Sequence, residues 1–297
     1  MPIRAPVRGI VADLIAVLVA VSEGEPLVLT VRERRALPAG PLESGHRSLQ
    51  TGLRAWVEAQ THHPLGYVEQ LYTFADRDRT ASAGQQVISI SYLGLTRERA
   101  GDGTAGEWRG WYAFLPWEDH RAGMPAVIAG AIAPRLRAWA GAEAEWQRAV
   151  LTFGLEGQPW NEELVLQRYE LLYEAGLVPE CGAGDGVAGV PMLFDHRRIL
   201  ATAIARLRAK IKYRPVVFEL MPESFTLLQL QRCVEAIAGR LVHKQNFRRL
   251  IEQQELVEET GEVTHGTGGR PAKLFRFRRE VLAERAVAGT KLPLVRA

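Results

Sequence analysis

Cysteine is almost missing: the 297 residues hold two, Cys181 and Cys233, with no CxxC spacing and no neighbouring pair of histidines. That excludes a disulfide scaffold and leaves a thiolate zinc site without a ligand set, so both read as reduced thiols of a cytoplasmic protein. Long apolar runs are missing as well. The nearest approach, Ile10 to Val21, follows Arg4 and Arg8 in the manner of a secretory signal, but Asp13 interrupts it. It is too short to span a bilayer, and the turn Ser22 to Pro26 leads straight from it into Leu27 to Val31. Two β-branched-rich runs around a Gly/Pro turn predict a hairpin instead.

Charge of one sign is also missing over most of the chain. Residues 1–222 carry 24 Lys+Arg against 25 Asp+Glu, whereas the remainder carries 13 against 9. A near-neutral body therefore precedes a basic tail, a distribution that suits a polyanion-binding appendage and equally a solvated basic face. No internal repeat is present. What is there, 47% hydrophobic and 24% charged residues with a mean hydropathy of −0.09, describes a globular protein with room for two domains.

After the hairpin, Leu49, Leu53, Trp56 and Val57 recur at helical spacing, and strands are expected at Tyr67–Phe74 and Val87–Leu95. Helical patterns run over 131–153, 161–175 and 196–212. The aromatic cluster Trp108, Trp111, Tyr112, Phe114 and Trp117 suits core packing, with stacking on a nucleobase as the alternative. Gly184 to Gly189 matches GxGxxG in form only, since no strand precedes it and Val190-Pro191 follows where a helix should begin. His62 and His63 sit next to Pro64 without a third ligand at suitable spacing, and read as solvated loop histidines.

The tail is more specific. Thr226-Leu-Leu-Gln229 has the form of a capping box, opening a helix with Leu227, Leu230, Val234 and Ile237 on one face and a stop at Gly239. A second helix from Val242 carries Lys244, Gln245, Asn246, Arg248 and Arg249, with Phe247, Leu250 and Ile251 available for the inner face. Arg matches guanine bidentately and Asn or Gln matches adenine, so this composition suits a helix in the major groove. A strand-like Glu255–Thr260, a loop with Gly266, Gly268 and Gly269, and Arg270 to Phe277 would form a basic wing with Arg270 and Lys273 near its tip. Glu255 to Gly261 imitates the acidic end of a Nudix box, but the required Arg and upstream Glu fall on Gln254 and Asn246.

Glu223-Ser-Phe-Thr-Leu, His243-Lys-Gln-Asn-Phe-Arg-Arg and Gly269-Arg-Pro-Ala-Lys-Leu-Phe-Arg-Phe resemble the winged helix of the Nudix-related transcriptional regulators of NAD metabolism, NrtR and its longer relative NadQ. The similarity continues through Phe194-Asp-His196 and Tyr213 to Leu220. Tyr67–Phe74 and Val87–Leu95 look like central strands of that family's Nudix-like domain, and 97–193 looks more like the longer relative.

The resemblance implies an α/β class: a Nudix-like α/β/α sandwich over 1–213, with a mostly helical insertion at 97–193, then a winged helix over 214–297. It implies a repressor of NAD synthesis or salvage genes, an adenine nucleotide effector (ADP-ribose, ATP or NAD), and a homodimer on palindromic duplex DNA. Effector candidates on the Nudix-like strands are Arg32, Arg77 and Arg79 for phosphate, with Glu69 for a polar group. A Nudix box can lie only between Gly40 and Thr61, with Arg54 as its Arg; His46, Ala55 and Ala59 then replace three of its acids and Glu58 alone remains. One carboxylate cannot hold the divalent cations that Nudix hydrolysis uses, so no metal and no catalysis are expected. The rival readings are an ADP-ribose-type hydrolase with an atypical metal site and a non-catalytic module for RNA or another acidic partner.

Overall fold

The computed structural model describes residues 10–63, 65–75, 86–97, 106–182, 186–187, 189–264, 271–278 and 280. The hairpin expectation holds, with strands β1 (Ile10–Ser22) and β2 (Glu25–Thr30). β3 (Ala39–Pro41), helix α1 (Leu49–Thr61), β4 (Tyr67–Phe74), β5 (Gln86–Leu95) and β6 (Glu107–Gly110) complete the sheet layer. The strand order is β4-β5-β1-β2-β6, with β3 also on β1; β1 and β5 run parallel and every other pair antiparallel.

The apolar run that imitated a signal is the central strand, hydrophobic on both faces from Leu14 onward because both faces are covered. Leu14, Ala16 and Leu18 point to α1 and meet Leu53 and Val57. Ile15, Val17 and Val19 point to the opposite, larger core. β3 and β6 escaped the sequence reading because three- and four-residue strands leave too little alternation to detect.

The helical segment begins after β6, inside the 97–193 range. A π-helical turn (Ile128–Ile132) runs into α2 (Ala133–Trp139), and α3 (Glu143–Phe153), α4 (Val165–Glu174) and α5 (His196–Lys210) follow. The single helical stretch expected over 131–153 is thus two helices. They break at Gly141 and Ala142, whose amides donate to the Glu145 carboxylate at 2.7 and 3.1 Å. Trp111, Phe114 and Trp117 are fully buried, so the aromatic cluster is largely core. Gly189, from the false GxGxxG motif, packs close to the Phe114 carbonyl and the Arg197 guanidinium.

The last unit consists of a 3-10 turn (Val216–Leu220), α6 (Leu227–Ala238), α7 (Lys244–Gln253) and the antiparallel pair β7 (Val257–Val263) and β8 (Lys273–Phe277). Phe225 and Phe275 exchange backbone hydrogen bonds of 2.9 and 2.8 Å, fixing the wing to the entrance of α6. No helix among the described residues is long and apolar enough to cross a membrane.

Candidate nucleic-acid interface

The sequence sets the helix pair through its caps. The Thr226 hydroxyl accepts from the Gln229 amide at 3.1 Å and the Gln229 side chain accepts from the Thr226 amide at 2.7 Å, so the capping box forms as expected. At the other end Gly239 adopts φ +71°, and a Cβ there would collide with the Glu118 carbonyl and the Arg208 guanidinium. Glycine is required twice over. Inside the turn, the buried Glu235 carboxylate accepts from the Val242 amide at 3.0 Å and from Gln231 at 2.9 Å, fixing where α7 starts.

α7 buries Phe247 and Ile251. Leu250, expected on the inner face, is 51% exposed, because at about 100° per residue it lies to the side of the line through the two buried residues. Lys244, Gln245, Asn246, Arg248 and Arg249 are all exposed, and none has a side-chain partner among the described residues. On the same helical spacing Arg249 projects most directly away from the buried face, with Gln245 beside it. The wing differs. Lys273 pairs with Glu259 at 2.8 Å and Arg276 with Glu258 at 2.5 Å, both across the β7–β8 ladder and largely exposed. Arg270 lies outside the described residues.

Behind the helix pair sits a buried charge cluster absent from the sequence reading. Glu118 is fully buried and accepts from Arg168 at 2.5 and 2.9 Å and from Arg208 at 2.5 Å. Burial alone would raise the Glu118 pKa; the two guanidiniums outweigh it and hold the carboxyl below its ordinary value. Arg168 also donates to the Thr152 and Asn161 carbonyls, both at 3.0 Å. Beside them the His120 ring stacks on Trp160 at 4.0 Å, and burial pulls its pKa down to about 4. The only sequence signal was periodicity: Arg197, Ala201, Ile204 and Arg208 recur on one helical face, placing arginines where apolar residues are expected.

On α1, Ser48 accepts from the Thr51 amide at 3.1 Å, and His62 closes the helix with φ 53°. Ala55, Glu58 and Ala59 share its exposed face, so the place where a Nudix box would gather carboxylates carries one. Arg54 is spent on the Leu65 and Gly66 carbonyls. His63 corrects the solvated reading: it is buried, 2.8 Å from the Thr96 hydroxyl and edge-on to Trp108. Among the described residues no three His, Cys, Asp or Glu side chains are grouped to hold a metal ion.

Arg32 is exposed, in a left-handed stretch with Glu33 and Arg34. Glu69 accepts from the Tyr67 hydroxyl at 2.7 Å and forms an ion pair with Lys210 of α5. The structure does not bring Arg32 and Glu69 into contact, and Arg77 and Arg79 lie outside the described residues. The Cys233 thiol is buried and its pKa is pushed up to about 12 by that burial.

Residues 217–277 match the family model of the NrtR DNA-binding winged helix domain. A segment of 86 residues, 29% of this chain, is 42% identical to the ADPR responsive transcriptional repressor NtrR of Acinetobacter baylyi. That match spans about a third (34%) of the relative's length. Over nearly the whole chain the fold is that of Shewanella oneidensis NrtR solved with a 27mer DNA: TM-score 0.57, 21% identity, covering 92% of this chain and 95% of that one. A MutT/nudix family protein from Enterococcus faecalis has the same fold, with TM-score 0.51 and 17% identity over 94% and 89% of the two chains. The sheet layer between helices, the helical segment after β6 and the terminal helix pair with its wing therefore share the fold of Shewanella oneidensis NrtR, and residues 217–277 match the NrtR DNA-binding winged helix domain.

Proposed function

We propose that the protein is a transcriptional repressor that binds duplex DNA through α7 and the wing, under the control of an adenine nucleotide sensed by the Nudix-like domain. One observation carries this reading: five exposed side chains able to bond bases and phosphates, Lys244, Gln245, Asn246, Arg248 and Arg249, stand without partners among the described residues on the second helix of a winged helix-turn-helix. Gln245, Arg248 and Arg249 face bases in the major groove. Lys244 and Asn246 flank them, and Lys273 and Arg270 meet phosphates from the wing. Two copies bind a palindromic operator, as two-fold helix-turn-helix proteins do. By the resemblance, the genes are those of NAD synthesis or salvage.

ADP-ribose is the leading effector, because the Acinetobacter baylyi relative is named for responding to it. Its diphosphate is held by Arg32 with Arg77 and Arg79, and Glu69 accepts from a ribose hydroxyl or the adenine amino group. The domain senses without hydrolysing, since Glu58 is the only carboxylate on the exposed face of α1.

The deciding experiment is selection of bound duplexes from random DNA, with and without ADP-ribose, ATP or NAD. A palindromic consensus whose recovery changes with ADP-ribose is expected. Recovery of single strands in preference to duplex, or of no consensus at all, overturns the DNA reading.

A further inference from the structure

An α-helix ends with carbonyls that have no partner within the helix. At the C-terminus of α6 these carbonyls find partners outside the winged helix. The Tyr112 hydroxyl donates to the Ala236 carbonyl at 2.6 Å. The Arg208 guanidinium donates through Nε to the Ile237 carbonyl at 2.9 Å. The His120 amide donates to the Gly239 carbonyl at 2.7 Å. Arg240, one residue further on, pairs with Glu162 of the helical segment at 3.3 Å. Every one of these partners precedes residue 217, where the winged-helix family match begins.

We propose that Tyr112, His120 and Arg208 are positioning residues for DNA binding: the sheet domain and its helical segment supply the C-terminal cap of α6, and through it they set where α7 stands. Each donor is itself fixed. Arg208 is fully buried and also donates to the Glu118 carboxylate at 2.5 Å, to the Glu118 carbonyl at 3.0 Å and to the Glu162 carbonyl at 3.1 Å. Its charge lies at the negative end of the α6 dipole, where a cation is favoured. Four residues separate Gly239 from the first residue of α7, and Glu235 already holds the Val242 amide from within. The turn is thus held from both sides, at Gly239 by the body and at Val242 by Glu235.

The same contacts give the sensing domain a path to the DNA-binding helix. α5 carries Arg208 at the turn, two residues from Lys210 on Glu69 of β4, and at its other end His196 accepts from the Leu37 amide at 2.9 Å. Arg121, next to His120, donates to the Gly24 carbonyl at 2.7 Å and pairs with Glu25 at 2.9 Å at the tip of the β1–β2 hairpin. A displacement of the sheet edge or hairpin relative to α5 must therefore move the donors that cap α6.

The inference rests on the DNA-binding reading above, and its test separates the two. Full-length protein is compared with Tyr112→Phe, which deletes one hydroxyl, and with Arg208→Lys, which keeps the charge but loses the fork. Two readouts are taken: affinity for a duplex recovered by selection, and amide hydrogen exchange at Gly239 and Val242. Tyr112→Phe is expected to weaken duplex binding about fivefold and to speed exchange at both amides by a similar factor, as loss of the bond to the Ala236 carbonyl implies, the 3.4 Å contact from Arg208 being long and weak. Arg208→Lys should do more on both counts; if that variant does not fold, Tyr112→Phe alone decides. Wild-type exchange overturns the proposal, and so does faster exchange with unchanged duplex affinity, which would leave the cap a structural role only. If the wild-type protein recovers no duplex, the DNA reading falls, and the exchange measurement alone decides whether the body clamps the turn.

Discussion

Helices α1 and α7 are built alike and finished differently. Each follows a capping position, buries a narrow apolar stripe (Leu53 and Val57 in one, Phe247 and Ile251 in the other) and turns a polar face outward. On α1 the polar side chains are bound to the protein itself: Arg54 to the Leu65 and Gly66 carbonyls, the Trp56 ring nitrogen to the Pro41 carbonyl at 2.9 Å, Gln60 to the Ala39 carbonyl at 2.7 Å. What remains outward beyond Gln50 and Thr51 of the first turn is Ala55, Glu58 and Ala59. On α7 the outward side chains are longer, more basic and without a partner among the described residues. A polar group already satisfied within the fold holds loops together; one left without a partner on a rigid helix is available to something else.

The comparison is sharpest where the two helices should behave identically. Phe247→Ala should cost about 3–5 kcal/mol and Leu53→Ala about 2–5 kcal/mol in denaturant unfolding, since both delete buried side chains. A cost under about 1 kcal/mol for Phe247→Ala would mean that α7 is not anchored as described.

The outward faces should then part company. Gln245→Ala and Arg248→Ala should each weaken binding to the selected duplex by about 1–3 kcal/mol and relax preference at one base pair. Unfolding stability should move by less than about 0.5 kcal/mol, as for other surface changes. Equal loss on every duplex sequence would place these residues on phosphate and not on bases.

Lys273→Ala should act more weakly still, because its ammonium must leave Glu259 to reach a phosphate. Affinity should fall by less than about 1 kcal/mol on all duplexes, with the salt slope reduced by no more than about one unit. The smallest effect expected is none. ADP-ribose incubated with magnesium or manganese should be released unhydrolysed by the wild-type protein and by Glu58→Gln alike. Turnover that disappears in Glu58→Gln would give α1 the chemistry that its outward face otherwise lacks.

What could be read from the sequence followed periodicity and local chemistry. Thr226 and Gln229 announced their helix, Gly239 its end, and the Ile10–Val21 run its strand, because each signal lies within a few residues of what it specifies. Glu118, Arg168 and Arg208 gave no such notice: their partners lie 50 and 90 residues apart in the chain. A buried charge looks like any surface charge until its counter-ion is placed. The fate of Lys273 was hidden for the same reason, since cross-strand pairing with Glu259 depends on the β7–β8 register. His63 differs from His62 by one position, and only the left-handed turn at His62 decides that the next ring points inward.

The hydrophobic core that receives Val17 and Leu93 from the sheet is continuous through Ile199 and Ile204 with Leu230, Ile237 and Phe247 of the helix pair. Separating the winged helix from the body would uncover this shared core and strip the Ile237 and Gly239 carbonyls of their donors Arg208 and His120. Cooperativity follows. The sheet layer and the winged helix should therefore behave as one thermodynamic unit, so heat or denaturant should find a single transition where the chain's two-part plan suggests two.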